Sequence, residues 1–379
     1  METLKVALIA GGMYDRLNEL VPEFERHSGI AVSIGFSGTH PELNAHLAKF
    51  EQPPYDLVST HTKYAPSQLR FLASLEDADT GDFFPALLEL ATIDGELYGT
   101  PRNIDLRLLH YRTDLLDNPP ATWDGLAETA RQLSRPPDRY GFVFTGMGSG
   151  LFGTFFELAE SAGARIFPQK LIPQLNNEGG RWALSVLRML YESVAVPKAI
   201  SQWHFDEVHR FFRDGKAAIV TDWPGYYGSY RDEGSSVRGH FEVARMPAGP
   251  TGRVCCYAGS HTFALTRAGA EKDEAWSLLQ FLTDPEQQTI EARQGSVPVR
   301  RSVMERQQRD ATGHDAERLH LLSQSIENDL IIPPKLSYYP EIEDILWRTV
   351  QAAMMGEIEI ESALKSMEER IAERGAHAA

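Results

Sequence analysis

The first sixty residues alternate between short apolar runs and an amphipathic stretch. The segments "LKVALIAGG", "IAVSIGF" and "YDLVST" are apolar runs with β-branched residues, which predicts three strands. Between the first two, Leu17, Leu20, Val21 and Phe24 recur at helical spacing, and Gly29 ends the pattern. This alternation predicts βαβ units around a parallel sheet, and therefore an α/β fold.

The loops that follow these predicted strands are candidates for ligand binding. In parallel sheets, ligands lie beyond the carboxyl ends of the strands, where the N-termini of helices also point. The loops 11–14, 37–40 and 60–62 all fall at such positions. The second loop contains Thr39 and Glu42 at the spacing of a capping box, which predicts that a helix begins there.

The rest of the chain continues in the same way. The segment "LRLLHYR" predicts a strand, and Thr122 is suited to cap the helix after it. Apolar positions at helical spacing predict further helices within 187–194 and 275–282 and a last helix within 360–371. The polar, charged stretch 305–318 is interpreted as a linker.

Length and charge limit the classes of protein to consider. A chain of 379 residues exceeds what one core usually organises, which predicts two domains. The 37 basic and 53 acidic residues give a net charge of −16, which argues against nucleic acid or an anionic membrane as a partner. No run of eighteen apolar residues occurs, so no membrane-spanning helix is expected. The N-terminus has no basic leader, so the protein is either cytosolic or has lost a leader.

The two cysteines, Cys255 and Cys256, are adjacent. Two cysteines exclude a disulfide framework and a tetrahedral thiolate metal site. One interpretation is a pair of buried strand residues. The other is a strained vicinal disulfide, formed in part in an oxidising environment, whose reduction would weaken ligand binding.

Motifs of catalysis and of cofactor binding are absent from the sequence. The Gly11–Gly12 pair lacks the spacing of a dinucleotide fingerprint, and no nucleophile elbow, H-E-x-x-H pair or P-loop occurs. His204 and His209 are five residues apart, which does not place them on one helical face. The histidines are scattered, and most are expected at the surface. We therefore expect no catalytic residues, no cofactor and no metal.

The segment "TDWPGYYGSY", residues 221–230, combines four aromatic rings with turn-forming residues after a predicted strand. A sugar offers apolar C–H faces to aromatic rings, and it offers hydroxyls to amides and carboxylates. The segment is therefore a candidate wall for stacking a sugar. The alternative is that these rings are core residues, and we expect about half of them to be core.

Seven segments, in the correct order along the chain, resemble the extracellular solute-binding proteins of family 1. These are the carbohydrate-binding receptors of ABC importers, of the maltose-binding-protein type. The segments are "LVPEFERHSGIAVSIGF", "YDLVSTHTKYAPSQLRFLASLE", "ELYGTPRNIDLRLLHYRTDLLDNPPATWDGL", "FRDGKAAIVTDWPGYY", "AGSHTFALTRAGAEKDEAWSLLQFLTDPEQQ", "GSVPVRRSV" and a Tyr-Pro segment before the last helices.

The resemblance implies a two-lobed α/β periplasmic-binding-protein fold of type II, with a ligand cleft between the lobes and hinge crossings. The crossings would fall at "LRLLHYR", near Gly259 and after Pro298. The N-terminal lobe would comprise 1–106 and 260–310, and the C-terminal lobe 107–259 and 311–379.

The resemblance also implies ligand-binding residues. The sugar-contacting carboxylate after the "Y-x-x-P" segment falls on Asp105, and the aromatic platform falls on Trp223 and Tyr226. Asp105 has an alternative role, in a solvated ion pair with Arg102 or Arg107. The late aromatic residue is Tyr338 or its neighbour Tyr339. The predicted ligand-binding residues are Gly12, Met13, Tyr14, Thr39, His40, Thr60, His61, Arg102, Asn103, Asp105, Phe152, Trp223, Tyr226, Tyr227, Gly259, Ser260, His261 and Tyr338.

The function that this resemblance implies is capture of a mono- or small oligosaccharide, or a derivative, for delivery to the permease of an ABC importer. Such a protein is a non-enzymatic monomer that is periplasmic or extracellular, with its signal peptide removed. A second possibility is the same fold binding an anionic or other non-sugar solute, such as a sugar acid, a polyamine or an amino-acid derivative. Arg102, His40 and His61 would then meet a negative charge. A third is an enzyme with a cleft, for which the sequence shows no catalytic pair.

Overall fold

The structure is a computed structural model, and it describes residues 3–10, 16–167, 173–293 and 295–378. The chain divides into two compact units. Unit 1 comprises Met1–Asp105, Gly259–Ala311 and Pro334–Tyr339, and unit 2 comprises Leu106–Ala258, Thr312–Pro333 and Pro340–Ala379. The segment 334–339 belongs to unit 1, whereas the sequence prediction assigned all of 311–379 to the C-terminal lobe.

Strands and helices alternate along most of the chain. The strands are β1 (Leu4–Ile9), β2 (Val32–Gly38), β3 (Leu57–His61), β4 (Thr92–Ile93), β5 (Glu96–Leu97), β6 (Thr100–Pro101), β7 (Asp105–Leu106), β8 (Leu108–Arg112), β9 (Tyr140–Val143), β10 (Ala217–Asp222), β11 (Phe241–Ala244), β12 (Cys256–Gly259), β13 (His261–Leu265) and β14 (Leu330–Ile331). The α-helices are α1 (Leu17–Ser28), α2 (His40–Leu47), α3 (Ala65–Gln68), α4 (Pro85–Ala91), α5 (Trp123–Leu133), α6 (Gly148–Ser161), α7 (Glu178–Glu192), α8 (Phe205–Arg213), α9 (Tyr227–Tyr230), α10 (Arg267–Ala270), α11 (Asp273–Leu282), α12 (Pro285–Arg293), α13 (Arg301–Asp310), α14 (His314–Asn328), α15 (Tyr339–Met354) and α16 (Ile360–Ala378). Two 3₁₀ helices span Lys198–Gln202 and Pro224–Tyr226. Across the described part of the chain, every helix is too short or too polar to cross a membrane.

The main sheet of unit 1 has the strand order β2-β1-β3-β13-β6. β1 is parallel to both β2 and β3, and β13 is antiparallel to β3. The three predicted strands and their parallel arrangement are therefore confirmed. The core of this unit lies against the sheet, where Val6, Leu57 and Phe263 are almost completely buried together with Leu20 and Phe24 of α1.

The predicted ends of the first two helices are confirmed by their local geometry. Gly29 follows α1 in the left-handed conformation, with φ of 73°, which glycine adopts without steric cost. At the start of α2, the Thr39 N–H and hydroxyl donate to Glu42 Oε2 at 2.9 and 2.7 Å. These bonds fix the point at which the chain leaves β2, at the carboxyl end of the sheet.

Unit 2 is built on a sheet with the strand order β11-β8-β10-β9. β8 is antiparallel to β10 and β11, and β9 is parallel to β10. Thr122 caps α5 as predicted, because its Oγ1 accepts a hydrogen bond from the Gly125 N–H at 3.1 Å. Trp123 and Phe142 are completely buried beside this cap, so the helix is packed on the sheet from its first residue.

The stretch 305–318, interpreted from sequence as a linker, is mostly helical. It contains the end of α13 and the start of α14, which are separated by Gly313 with φ of 58°. Val303 and Met304 are buried in α13, and Leu322 is buried in α14. The chain passes from unit 1 to unit 2 between Ala311 and Thr312, so this stretch does connect the two units, as a linker would. Its helical structure was not predicted, because each helix has only a narrow apolar face and its polar residues cover the rest of the surface.

Cys255 and Cys256 are free thiols, and both are buried. Cys256 Sγ lies 3.1 Å from the Arg107 carbonyl oxygen, to which it donates. Burial raises the pKa of the Cys255 thiol to about 12 and the pKa of Cys256 well above its ordinary value. The interpretation as buried thiols therefore holds, and the vicinal disulfide is not formed in this structure.

Candidate functional sites in the two units

A cluster of three histidines and one carboxylate lies at the carboxyl end of β3 in unit 1. We call His40, His61, His261 and Asp105 the histidine cluster. His61 ends β3 and His261 begins β13, and the two residues are direct partners in the antiparallel ladder. His40 is the first residue of α2, and Asp105 begins β7. The fold of unit 1 therefore gathers four of the predicted ligand-binding residues from distant parts of the sequence.

The side chains of the histidine cluster are close to one another. The three imidazole ring centroids lie 4.7 to 4.9 Å apart. His261 Nε2 lies 3.3 Å from Asp105 Oδ2, and the Asp105 side chain is 16% exposed. Gly259 is required for this packing, since a Cβ there would lie 2.6 Å from His61 Nε2. A cavity of about 10 Å³ borders all three rings.

Burial sets the protonation of the histidine cluster. It lowers the pKa of His40 and of His61 well below the ordinary value, and it lowers the pKa of His261 to about 3. Burial also raises the pKa of Asp105 to about 7, against the opposing effects of Arg102 and a hydrogen bond from Asn103. The imidazoles are therefore neutral at pH 7 and offer lone pairs or N–H donors, not positive charge.

Asp105 is held by neutral partners. Asn103 Nδ2 donates to Asp105 Oδ1 at 3.1 Å. Asn103 Oδ1 accepts a hydrogen bond from the backbone N–H of His261, also at 3.1 Å. Ser260 Oγ donates to the Asn103 carbonyl oxygen at 2.7 Å. Asn103 and Ser260, both predicted as ligand-binding residues, thus orient the cluster through bonds within the protein.

The two arginines considered as ion-pair partners of Asp105 are paired elsewhere. Arg102 Nη2 donates to Glu291 Oε1 at 2.8 Å, and both side chains are buried. Arg107 forms a fully buried ion pair with Glu157 in unit 2. The Asp105 side chain is largely buried, so it is not a solvated group. Burial raises the pKa of Asp105 and the positive charge of Arg102 lowers it, so an electrostatic pairing with Arg102 stays a prediction.

The segment 221–230, which we call the aromatic segment, lies in unit 2 at the end of β10. Trp223 and Tyr226 are partly exposed, whereas Tyr227 and Tyr230 are buried. Two of the four rings are therefore core residues, as expected from the sequence. The remaining two present surface at the carboxyl end of a strand, where a ligand can reach them.

The two partly exposed rings are held in place from behind. The Tyr226 ring stacks on His209, with centroids 4.1 Å apart and ring planes at 23°, and its hydroxyl donates to Asp206 at 3.0 Å. The Trp223 ring lies 5.8 Å from Phe205, edge to face, and 5.8 Å from the Arg107 guanidinium. Rings that are fixed in this way lose little conformational entropy when a ligand binds.

A polar network supports the aromatic segment. His209 Nδ1 lies 3.3 Å from Asp222 Oδ2, and His209 Nε2 lies 2.7 Å from Ser229 Oγ. Ser229 Oγ also donates to the Tyr226 carbonyl oxygen at 3.0 Å. Tyr230 donates its hydroxyl to Asp222 as well. The network connects β10, α8 and α9, and it fixes the orientation of Tyr226.

The other predicted ligand-binding residues have varied surroundings. Phe152 is completely buried and packs on Phe156 and Tyr257, so its ring belongs to the core of unit 2. Tyr338 is buried in unit 1, and Thr60 donates to Gln68 at 2.5 Å. Gly12, Met13 and Tyr14 lie outside the described residues.

Sequence reasoning missed His209, Asp222, Ser229, Glu157 and Glu291. The first three come from three separate elements, and no spacing along the chain connects them. Both glutamates lie on helices and pair with arginines far away in sequence, so neither motif nor periodicity marks them. The only available signal was that Asp222 and Ser229 stand within the aromatic segment itself.

Comparison with known proteins places the chain in a family. Residues 19–316 match the family described as "Bacterial extracellular solute-binding protein". Since that match covers more than half of the chain, the protein belongs to the bacterial extracellular solute-binding proteins.

Two relatives have names that point to transport. A probable ABC transporter-binding protein of Deinococcus radiodurans is 30% identical over 236 residues, and the match spans 59% of this chain but only 56% of that relative. A maltooligosaccharide ABC transporter solute-binding lipoprotein of Streptococcus pneumoniae is 21% identical over 295 residues, with 74% of this chain and 68% of the relative covered.

The fold is that of the two-domain periplasmic binding proteins. The maltose-bound T. maritima protein MalE3 matches with a TM-score of 0.87 at 24% identity, covering 97% of this chain and 99% of that protein. The predicted α/β fold class is therefore confirmed.

Proposed function

We propose that this protein is the substrate-binding protein of an ABC importer, which captures a carbohydrate outside the cytoplasm and delivers it to the membrane permease. Membership of the solute-binding family supports the general role. A maltooligosaccharide-binding relative and a structural neighbour with bound maltose support a sugar as the ligand.

The observation that carries the proposal is the aromatic segment. Trp223 and Tyr226 present fixed, partly exposed rings beside polar groups, which is the combination that sugar C–H faces and hydroxyls require. In unit 1, Asp105 and Asn103 supply a carboxylate and an amide for hydroxyl groups.

A thermal-shift screen with maltooligosaccharides, pentitols, hexitols, monosaccharides, sugar acids, polyamines and amino acids tests this proposal. A ligand that binds only the folded state raises the melting temperature, by an amount that increases with its concentration. We expect at least one neutral carbohydrate to do so. A panel in which only polyamines, amino acids or sugar acids raise the melting temperature would contradict the proposal.

The charges in unit 1 favour a neutral ligand over an anionic one. The Arg102 guanidinium is engaged by Glu291 at 2.8 Å. Burial lowers the pKa of each imidazole in the histidine cluster, so none of the three supplies positive charge at pH 7. The three residues that the sequence suggested for binding an anion are therefore poorly suited to that task.

We further propose that the protein is a monomer without enzymatic activity, and that its signal peptide is removed on export. Ser229, His209 and Asp222 are arranged in series, but we assign them to positioning Tyr226 because the His209 ring is stacked on it. Incubation with the sugar found in the screen, followed by product analysis, should show the sugar unchanged. Conversion of that sugar would contradict a pure binding role.

A further inference from the structure

We propose that the histidine cluster binds a divalent first-row transition-metal ion through His61, His261 and Asp105, with the His40 ring beside them. Carbohydrate capture as proposed above requires no metal, so this inference goes beyond it. No sequence motif marks such a site, because its members stand at positions 40, 61, 105 and 261.

The positions of the donor atoms carry the inference. One ligand atom from each of His61, Asp105 and His261 lies within 4.8 Å of the others. In a tetrahedral zinc site with bonds of about 2.0–2.1 Å, neighbouring donor atoms lie about 3.3–3.4 Å apart. His261 Nε2 and Asp105 Oδ2 are already 3.3 Å apart, so the main adjustment is a small movement of the His61 ring.

His40 supplies a second, independent observation. Its Nε2 is buried and has no hydrogen-bond partner among the described residues. Its ring centroid lies 4.7 Å from that of His61 and 4.9 Å from that of His261. The cavity of about 10 Å³ borders the three rings but not Asp105, and it is far too small for a sugar ring.

The chemistry of the donor set selects the class of metal. Imidazole nitrogens favour zinc, copper, nickel and iron, whereas magnesium and calcium prefer oxygen ligands. Metal ligation also requires neutral imidazoles. The buried setting provides them, because desolvation disfavours the charged form of each ring.

Two features oppose binding and set its strength. The backbone N–H of Lys63 donates a hydrogen bond to His61 Nδ1 at 3.1 Å. Metal ligation through His61 Nε2 would place the ring proton on Nδ1, which could then no longer accept this hydrogen bond. Besides burial, the positive charges of Arg102 and Lys63 lower the pKa of His261, and they would also repel a cation bound there. Glu291 offsets part of this charge by pairing with Arg102 at 2.8 Å. Without a metal, His261 Nε2 pairs with Asp105 Oδ2 at 3.3 Å, and this pairing within the protein is the competing account of the cluster.

Calorimetric titration of zinc chloride into tag-free, EDTA-treated full chain, without sugar, tests the inference. We expect one zinc ion per chain and no comparable binding of magnesium. His261→Ala and Asp105→Asn should weaken zinc binding by at least about tenfold to a hundredfold, since even changes outside the direct ligands cost that much. His40→Ala should weaken it too. His320→Ala, which changes an exposed histidine on α14, is the matched control and should bind as the wild type does.

Cobalt(II) gives a readout on the wild type that does not depend on how the variants fold. We expect the absorption bands of a four-coordinate cobalt site with nitrogen ligands. Failure of the wild type to bind zinc, or equal binding by the cluster variants and the His320 control, would overturn the inference. Sugar titration of the EDTA-treated protein separates the two proposals, because sugar binding that persists without zinc binding overturns only the metal site.

Discussion

The histidine cluster of unit 1 and the aromatic segment of unit 2 are built in opposite ways. The aromatic segment is a continuous run of ten residues, and two of its rings remain partly exposed. The histidine cluster is assembled from four separate elements, and most of its polar surface is enclosed. The first is therefore suited to stacking against a ligand, and the second to fixing a few polar atoms in a set geometry.

The two regions also differ in the contacts that hold their side chains in place. Rings in the aromatic segment rest on other rings and on a buried ion pair, Arg107–Glu157. The histidine cluster is held by neutral hydrogen bonds through Asn103 and Ser260. Loss of the Arg107–Glu157 pair should therefore lower the stability of unit 2, whereas loss of the Asp105 carboxylate should weaken ligand binding more than it lowers stability.

The largest effect is expected at Glu157. Glu157→Gln leaves Arg107 buried without its anionic partner, which should lower the free energy of unfolding by about 3–5 kcal/mol. Urea denaturation followed by circular dichroism measures this change. Glu128→Gln removes the partner of Arg131 in an exposed pair and should cost less than about 1 kcal/mol. If the two variants lose the same free energy of unfolding, the buried Arg107–Glu157 pair does not stabilise unit 2 more than an exposed pair does.

Asp105 tests the polar half of the comparison. Above the Asp105 pKa of about 7, for example at pH ~8.5, Asp105→Asn keeps the shape of the side chain but removes its charge. Hydrogen bonds to charged groups contribute about 1.5–3 kcal/mol. Carbohydrate affinity, measured by calorimetry in the presence of EDTA, should fall by about tenfold or more. Asp77→Asn, at an exposed position of unit 1, is the control. Normal affinity together with a much lower melting temperature would assign Asp105 a purely structural role.

Trp223 tests the aromatic half. Trp223→Ala removes a stacking ring that contributes on the order of 1–3 kcal/mol, so affinity should fall about ten- to a hundredfold with little change in stability. Trp347→Ala on α15, which removes a partly exposed ring paired with Asp344, should leave affinity unchanged. If the Trp223 variant binds as tightly as the Trp347 variant, the stacking role is lost.

The smallest effect is expected at His209, which acts through Tyr226. His209→Ala removes a stacked partner that contributes about 0.5–1.5 kcal/mol, so affinity should fall by about two- to tenfold. His209→Phe keeps a ring beneath Tyr226 and should recover part of the loss. If His209→Phe binds the sugar no better than His209→Ala, then the contact between His209 and Asp222, and not ring stacking, positions Tyr226.

The sequence was most informative where neighbours in the chain are also neighbours in space. Strand and helix periodicity, the capping box at Thr39 and the partial burial of the aromatic segment were all predicted, because each depends on local pattern. Phe152 was predicted as a ligand contact, but its burial depends on how α6 packs on Tyr257, which no local pattern encodes.

Contacts between residues that are far apart in the chain could not be predicted from the sequence. Arg102 and Glu291 are far apart in the chain, and so are His61 and His261, yet each pair is in contact. The helical structure of 305–318 was missed for a related reason, because a few buried residues are enough to fix a polar helix against a packed unit. Charge pairing and narrow helix faces are decided by tertiary packing.

The most direct test of carbohydrate capture is calorimetric titration of the purified wild-type protein with the neutral carbohydrates that raise its melting temperature. We predict saturable binding at one sugar per chain, with affinity reduced by both Asp105→Asn and Trp223→Ala. Absence of binding to every neutral carbohydrate, with saturable binding of a non-sugar solute, would contradict the account.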